Sequence, residues 1–336
     1  MSYRNINNLL GWATGAVAFA VYLLTMEPTV SFWDCGEFLA CAYKVEVGHS
    51  PGAPLFMLLQ RVFGLLAGGN AWTAGPSQNA AAVINAFSAL VSALTIVFLF
   101  WTITHMARKL LVSGEKQPEG TQTFMIMGAG LVGALAYTFS DTFWFSAVEA
   151  EVYATSSFFT ALVFWAILKW EDMADNRYAD RWLVFIAYMM GLSIGIHLLN
   201  LLTIPALAMV YYFKRYEPTL RGGIIAFLIG CAMLALVQFG VIQGIPALAF
   251  RFDLLFVNGL GLPFDTGAIF FLREYLLYLV KAGHIAVLVE LIDGRGVPLG
   301  QTQIGFAGGL VRERFAETNV LFVVDQLVKG VLAGIL

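Results

Sequence analysis

Residues 81–107 read AAVINAFSALVSALTIVFLFWTITHMA, and the next two residues are Arg108 and Lys109. The run contains no Asp, Glu, Lys or Arg. A helix needs about 20 mostly apolar residues to cross the hydrocarbon core of a bilayer. This run exceeds that length and stops on two cations of the kind that mark a cytoplasmic membrane surface. Similar runs recur at 8–26, 124–140, 153–169, 183–197, 200–213, 222–243 and 274–292, with a weaker one near 319–336. The pair 183–197 and 200–213 is separated only by HLLN, which predicts a tight helical hairpin. Residues 53–67, APLFMLLQRVFGLLA, are interrupted by Gln60 and Arg61 and suit an interfacial helix rather than a span. The expected fold is an all-α polytopic membrane bundle of roughly eight or nine transmembrane helices.

Composition supports the same class. Of 336 residues, 59% are hydrophobic and 12% charged, and the mean hydropathy is +0.77. Soluble domains carry about 25% charged residues, so lipid must solvate much of this chain. No basic stripe suggests a nucleic-acid partner; the partner implied at this stage is membrane lipid. The first residues, MSYRNINNLLGWATGAVAFAVYLL, read as an uncleaved span, because the apolar run continues to Met26 with no small-residue cleavage site. Cys35, Cys41 and Cys231 show no metal-ligand spacing. Cys35 and Cys41 could pair in an oxidising compartment, or stay as two thiols beside a helix.

Lys and Arg set the orientation. With the N-terminus cytoplasmic, the inner loops hold Arg4, Arg108, Lys109, Lys116, Lys169, Arg177, Arg181, Lys214, Arg215 and Arg221. Only Lys44 and Arg61 fall outside before residue 240. Three outer turns then collect the remaining polar residues: Asp34, Glu37, Glu46 and His49; Asp141, Glu149 and Glu151; His197 and Asn200. Residues 245–267 read as another outer loop carrying Arg251, and the Gly-rich 293–318 show no period.

Asp34 and Glu37 share a helix face if FWDCGEFLACAY begins a helix. They are then either a cap and a first-turn acid, or a general base at the membrane surface and the group that tunes it. Phe32 and Trp33 would help desolvate such a base. His49 is either a turn residue before the Pro51/Pro54 segment or a donor to a phosphate or sugar oxygen. Asp34, Glu37 and His49 could also hold a cation, although their spacing is no known zinc motif. Glu149 and Glu151 are simple loop acids or site residues. His197 and Asn200 either pack the hairpin or face the loop acids, and Arg251 either pairs with a phosphate or anchors its loop.

The stretch WDCGEF followed by GHSPGAPLF resembles the domain-of-unknown-function 2723 family of bacterial membrane proteins. That family is similar to an animal transmembrane O-mannosyltransferase. Its Asp-x-Gly-Glu and Gly-His-x-Pro-Gly-x-Pro-Leu patterns match Asp34, Gly36 and Glu37, then Gly48, His49, Pro51, Gly52, Pro54 and Leu55. FWFSAVEAEVYA and GLSIGIHLLNLLTIPA also fit, so the resemblance covers about residues 1–270. It implies a GT-C type glycosyltransferase in the bacterial inner membrane, with residues 27–79 as the catalytic first outer, periplasmic loop. The implied donor is a polyprenyl-phosphate sugar and the implied acceptor a protein Ser or Thr hydroxyl. Asp34 would be the base and Glu37 its partner; His49, and by inference Trp33, Glu149, Glu151, His197, Asn200 and Arg251, would contact substrate. No cofactor is implied, with a divalent cation left open. Residues 271–336 depart from the family pattern. A transporter or lipid-handling protein, and a subunit of an envelope complex, are the alternatives from composition alone.

Overall fold

The computed structural model describes residues 2–50, 52–70, 75–76, 79–112, 114, 117–262 and 303–335, with 274, 275, 278, 279, 281, 282, 285 and 289. Two compact units emerge: residues 1–174 with 185–234, and residues 175–184 with 235–336.

The first unit is built around α4 (Ala80–Leu111). Apolar on every side, α4 buries Ile84, Phe87, Ala89, Val91, Ile96, Val97 and Phe100, as a helix enclosed by other helices must. It packs against α1 (Tyr3–Thr25), α5 (Gly120–Thr138) and α7 (Val152–Met173). Lipid tails are as apolar as leucine, so helices in a bilayer associate through close fit rather than hydrophobic exclusion. Gly11 and Gly15 supply that fit on α1: a Cβ on either would collide with Trp101 or Val97 of α4. Gly130 of α5 sits equally close to Phe100 and Thr104.

Two short helices, α2 (Cys35–Lys44) and α3 (Pro54–Leu66), follow α1. The α3 helix forms over the expected stretch. Its first amides, Leu55 and Phe56, donate to the Gly195 carbonyl at 2.8 and 3.4 Å, which satisfies donors no helix can pair internally. Arg61 donates from Nη1 to the Tyr43 carbonyl at 2.7 Å in the last turn of α2. A two-residue ladder joins Gly69–Asn70 to Gly75–Pro76. The chain bends by 68° between α5 and α6 (Asp141–Ala147). There the Tyr22 hydroxyl donates to the Thr138 carbonyl at 2.9 Å. After α8 (Asp180–Ile194) a 3-10 turn (Leu198–Thr203) leads into α9 (Ile204–Arg215) and then α10 (Leu220–Ala235).

In the second unit, π-helical turns flank α11 (Ile245–Leu254), and α12 (Gln303–Glu313) and α13 (Phe315–Ile335) close the chain. Tyr275 donates to Asn319 Oδ1 at 2.7 Å. The rings of Tyr275 and Tyr278 stand 5.1 and 5.2 Å from that of Phe322.

Two segment readings change, and the described residues give a partial span count. Among the described residues four helical stretches are long and apolar enough to span (3–25, 80–111, 152–173 and 220–259), or five with α5 and α6 counted together. In this count the 183–213 hairpin does not register as spans, because it breaks into helices of 15 and 12 residues around the 3-10 turn. The expected span at 274–292 lies mostly outside the described residues. Residues 245–259, read as loop, are helical; Pro246 lies inside the continuous 220–259 stretch, where π-helical turns give way to α11. Residues 303–313, read without period, also form a helix.

Candidate active site

The segment after α1 is pinned before it reaches Asp34. Asn85 of α4 donates from Nδ2 to the carbonyls of Glu27 (2.7 Å) and Thr29 (3.1 Å). The Glu27 amide donates to the Val148 carbonyl at 2.9 Å. Ser31 donates its hydroxyl to Glu149, and the Cys35 thiol donates to Glu151 Oε1 at 3.4 Å. Asp34 therefore sits between two residues tied to the α6–α7 turn. Its neighbour Trp33 has φ 60, and the indole is 88% exposed. A bulky residue in the left-handed region persists only where its surroundings hold it.

Asp34 occupies the cap position of α2, but its carboxylate makes no cap hydrogen bond. The capping reading therefore fails and the side chain is free for other work. Glu37, in the first turn, accepts from the His49 amide and meets His49 Nδ1 at 3.0 Å. His49 Nε2 lies 3.9 Å from Asp34 Oδ2. One imidazole thus reaches both carboxylates. The returning loop is shaped for this: Val45 at φ 59, Gly52 at φ 90 and Ala53 at φ 37 all adopt left-handed backbone. At Gly48 a Cβ would lie 3.1 Å from Glu37 Oε1, so a larger residue there would press on the Glu37 carboxylate. Hydrogen bonds from His49 hold the Glu37 carboxyl below its usual range. Glu37, and more weakly Asp34 and Glu151, hold the His49 imidazole above its usual value.

Asp34 and Trp33 form one wall of a cavity of about 780 Å³ whose other walls come from the end of α5, from α6, and from the start of α7. Asp141, Glu149 and Glu151 contribute carboxylates; Tyr137, Phe143 and Tyr153 contribute rings. Glu149 is 3% and Glu151 9% exposed, which removes the reading of them as solvated loop acids. Burial raises the Glu151 pKa, with the Cys35 hydrogen bond opposing. Burial likewise pushes the Cys35 thiol up, reinforced by Glu151 and Glu149. Acceptor oxygens beside aromatic faces are what a polyhydroxylated ligand needs, hydroxyls for the first and C–H faces for the second.

Among the described residues two groups have potential metal-donor atoms within 4.8 Å of one another: Asp34, Glu37 and His49, and Cys35, Glu149 and Glu151. In the second, each donor already engages a hydroxyl or thiol proton, and a thiol kept protonated is a poor ligand. Cys35 and Cys41 are both buried free thiols, so the disulfide alternative does not hold.

His197 caps the 3-10 turn, its Nδ1 accepting from the Leu199 amide at 3.2 Å, which leaves the ring proton on Nε2. Its ring stands 5.2 Å from that of Tyr153, a cavity residue. Asn200 is fully buried and donates to Ser193 Oγ at 2.9 Å, a packing role. Arg251 lies exposed on α11 of the second unit. Sequence reasoning missed Ser31, Cys35, Tyr137 and Tyr153; for the two tyrosines the available signal was the polar and aromatic texture of residues 137–157, and for Ser31 and Cys35 there was none.

The family model for the protein O-mannosyl-transferase TMEM260 N-terminal domain matches residues 34–220. The chain belongs to this family. A relative from Dictyostelium discoideum named protein O-mannosyl-transferase tmem260 is 24% identical over 198 residues, covering 57% of this chain and 21% of the relative. The protein O-mannosyl-transferase TMEM260 of Mus musculus is 25% identical over 182 residues, covering 54% and 22%. The chain thus spans about a fifth of the length of these relatives. No solved structure matches. The TMEM260-type match begins at Asp34 itself and takes in every cavity residue except Trp33.

Proposed function

We propose that this chain is the membrane-embedded catalytic part of a GT-C type glycosyltransferase, which moves a mannose-like sugar from a polyprenyl-phosphate donor to a protein Ser or Thr hydroxyl. The observation that carries this reading is the uncapped Asp34 carboxylate on the wall of an acid- and aromatic-lined cavity at one end of an apolar bundle. Asp34 takes the acceptor's hydroxyl proton while the oxygen bonds to the anomeric carbon. The bond from that carbon to the phosphate breaks, and its electron pair leaves with the lipid phosphate. Carboxylates and rings of the cavity hold the sugar; the apolar outer surface of the bundle receives the lipid chain. Arg108, Lys109, Lys169 and Arg215 gather near Tyr3, Glu171, Trp165 and Trp170, far along the helices from Asp34. By the positive-inside rule, this supports a periplasmic or luminal site with the N-terminus in the cytoplasm.

The test is purified protein in lipid nanodiscs with polyprenyl-phosphate mannose, polyprenyl-phosphate glucose and a Ser/Thr-rich peptide, read by peptide mass. Addition of one hexose, removable by alkaline β-elimination, is expected with at least one donor. Absence of transfer from both donors would overturn the reading.

A further inference from the structure

We infer that Glu37 and His49 form a proton-relay pair on the acceptor side of Asp34, with His49 passing on the proton that Asp34 removes and Glu37 as its positioning residue. The inference rests on the transferase reading, and it departs from the sequence expectation that His49 binds the donor phosphate.

Geometry makes the assignment. In a single displacement at a sugar carbon, the attacking oxygen and the leaving phosphate lie on opposite faces. Groups serving those two faces stand roughly 6.5–9.5 Å apart in the inverting glycosidases, which solve the same problem. His49 Nε2 is only 3.9 Å from Asp34 Oδ2. A group this close to the base stands with the incoming hydroxyl, not with the phosphate.

The chemistry follows from the hydrogen bonds. An ionised carboxylate only accepts, so the 3.0 Å contact to Glu37 places the ring proton of neutral His49 on Nδ1. The lone pair is then on Nε2, the ring nitrogen 3.9 Å from Asp34 Oδ2, a gap that one side-chain adjustment closes for transfer. The acceptor's O–H bond breaks, its proton goes to Asp34, and the freed electron pair forms the bond to the anomeric carbon. Asp34 next releases the proton to His49 Nε2, an imidazole being a stronger base than a carboxylate by about two pKa units. The imidazolium stays paired with Glu37, and the half-exposed ring returns its proton to bulk water. The charged groups acting on His49 are Glu37, Asp34 and Glu151, all anionic, and each favours the imidazolium. The backbone agrees: the His49 amide is also bound by Glu37, Gly48 admits the approach, and three left-handed residues hold the loop. An incidental surface histidine needs none of these.

The experiment compares wild type, His49→Gln and Glu37→Gln in the transfer assay, with donor and peptide varied separately and pH from 5 to 9. His49→Gln is expected to lower kcat/KM for the peptide by about tenfold or more, with the donor KM within about twofold of wild type. Wild-type activity rises with pH as His49 becomes neutral; that limb vanishes in His49→Gln and shifts to lower pH in Glu37→Gln. A raised donor KM with peptide kcat/KM retained would place His49 on the phosphate and overturn the inference. An unchanged pH profile would overturn it equally. Should wild type transfer nothing, the transferase reading fails by itself, and NMR titration of 13C-labelled histidine still decides the pair. His49 is expected to titrate above an ordinary histidine and to fall back in Glu37→Gln; no change between the two proteins would overturn the pairing.

Discussion

Asn85→Ala should loosen the stem of the active loop. The side chain, 1% exposed, donates to two carbonyls, Glu27 at 2.7 Å and Thr29 at 3.1 Å. Each such bond contributes about 1 kcal/mol net, and more where the orphaned carbonyl stays out of water. Thr29 is exposed, so its carbonyl regains water and the lower figure applies. The expected loss is therefore about 2 kcal/mol, or roughly 4–8 °C in Tm at about 2–4 °C per kcal/mol for a body of this size. The assay is thermal unfolding in detergent, followed by intrinsic Trp fluorescence. Ser88→Ala is the control: the Ser88 hydroxyl is buried with no hydrogen-bond partner, so its removal should be neutral or slightly stabilising. If Asn85→Ala melts with wild type, or no lower than Ser88→Ala, then α4 does not hold the loop stem and the positioning argument for Asp34 loses its base.

Gly15→Val should cost about 1–3 kcal/mol by overpacking, because a Cβ there collides with Val97 across α1 and α4, whereas Gly128→Ala, with open space around it, should leave Tm unchanged. Cys35→Ala removes the donor to the buried Glu151 carboxyl and should destabilise by about 1–3 kcal/mol; Cys35→Ser restores a donor and should recover most of the loss. The pH dependence has a definite sign. The raised His49 contributes stability that is fully present below about pH 6.5 and lost as pH rises through its folded value. The lowered Glu37 contributes stability present above its unfolded value and lost as pH falls through its folded one. The Tm difference between wild type and Glu37→Gln should therefore peak in mildly acidic solution and shrink on both sides.

Much of the bundle is legible in the sequence because its signals are local. An unbroken apolar run such as 81–107 can only be a buried span, and cations concentrate at one end of the helices. Asp34, Glu37 and His49 stood out in the sequence because they fall within one short stretch, 12 positions separating Glu37 from His49. What stayed hidden is carried by partners far apart in the chain. Ser31 meets Glu149 across 118 positions, and Cys35 meets Glu151 across 116. No periodicity encodes those pairings, so the sequence left Glu149 and Glu151 open between loop acids and site residues and offered no partner for either. Asn200, next to a histidine-bearing turn in the sequence, is fully buried, and its amide nitrogen donates to Ser193. Among the described residues the span count is smaller where hydropathy is continuous but the backbone is not, at the 3-10 turn between α8 and α9.

The most direct measurement is the transfer rate of Asp34→Asn beside wild type and Asp34→Glu, each first shown to melt as a folded protein. Asparagine keeps the shape but cannot take a proton, so the account predicts a loss of about a hundredfold or more, with part of the rate restored by glutamate. Transfer by Asp34→Asn within a few-fold of wild type would contradict the assignment of Asp34 as the base.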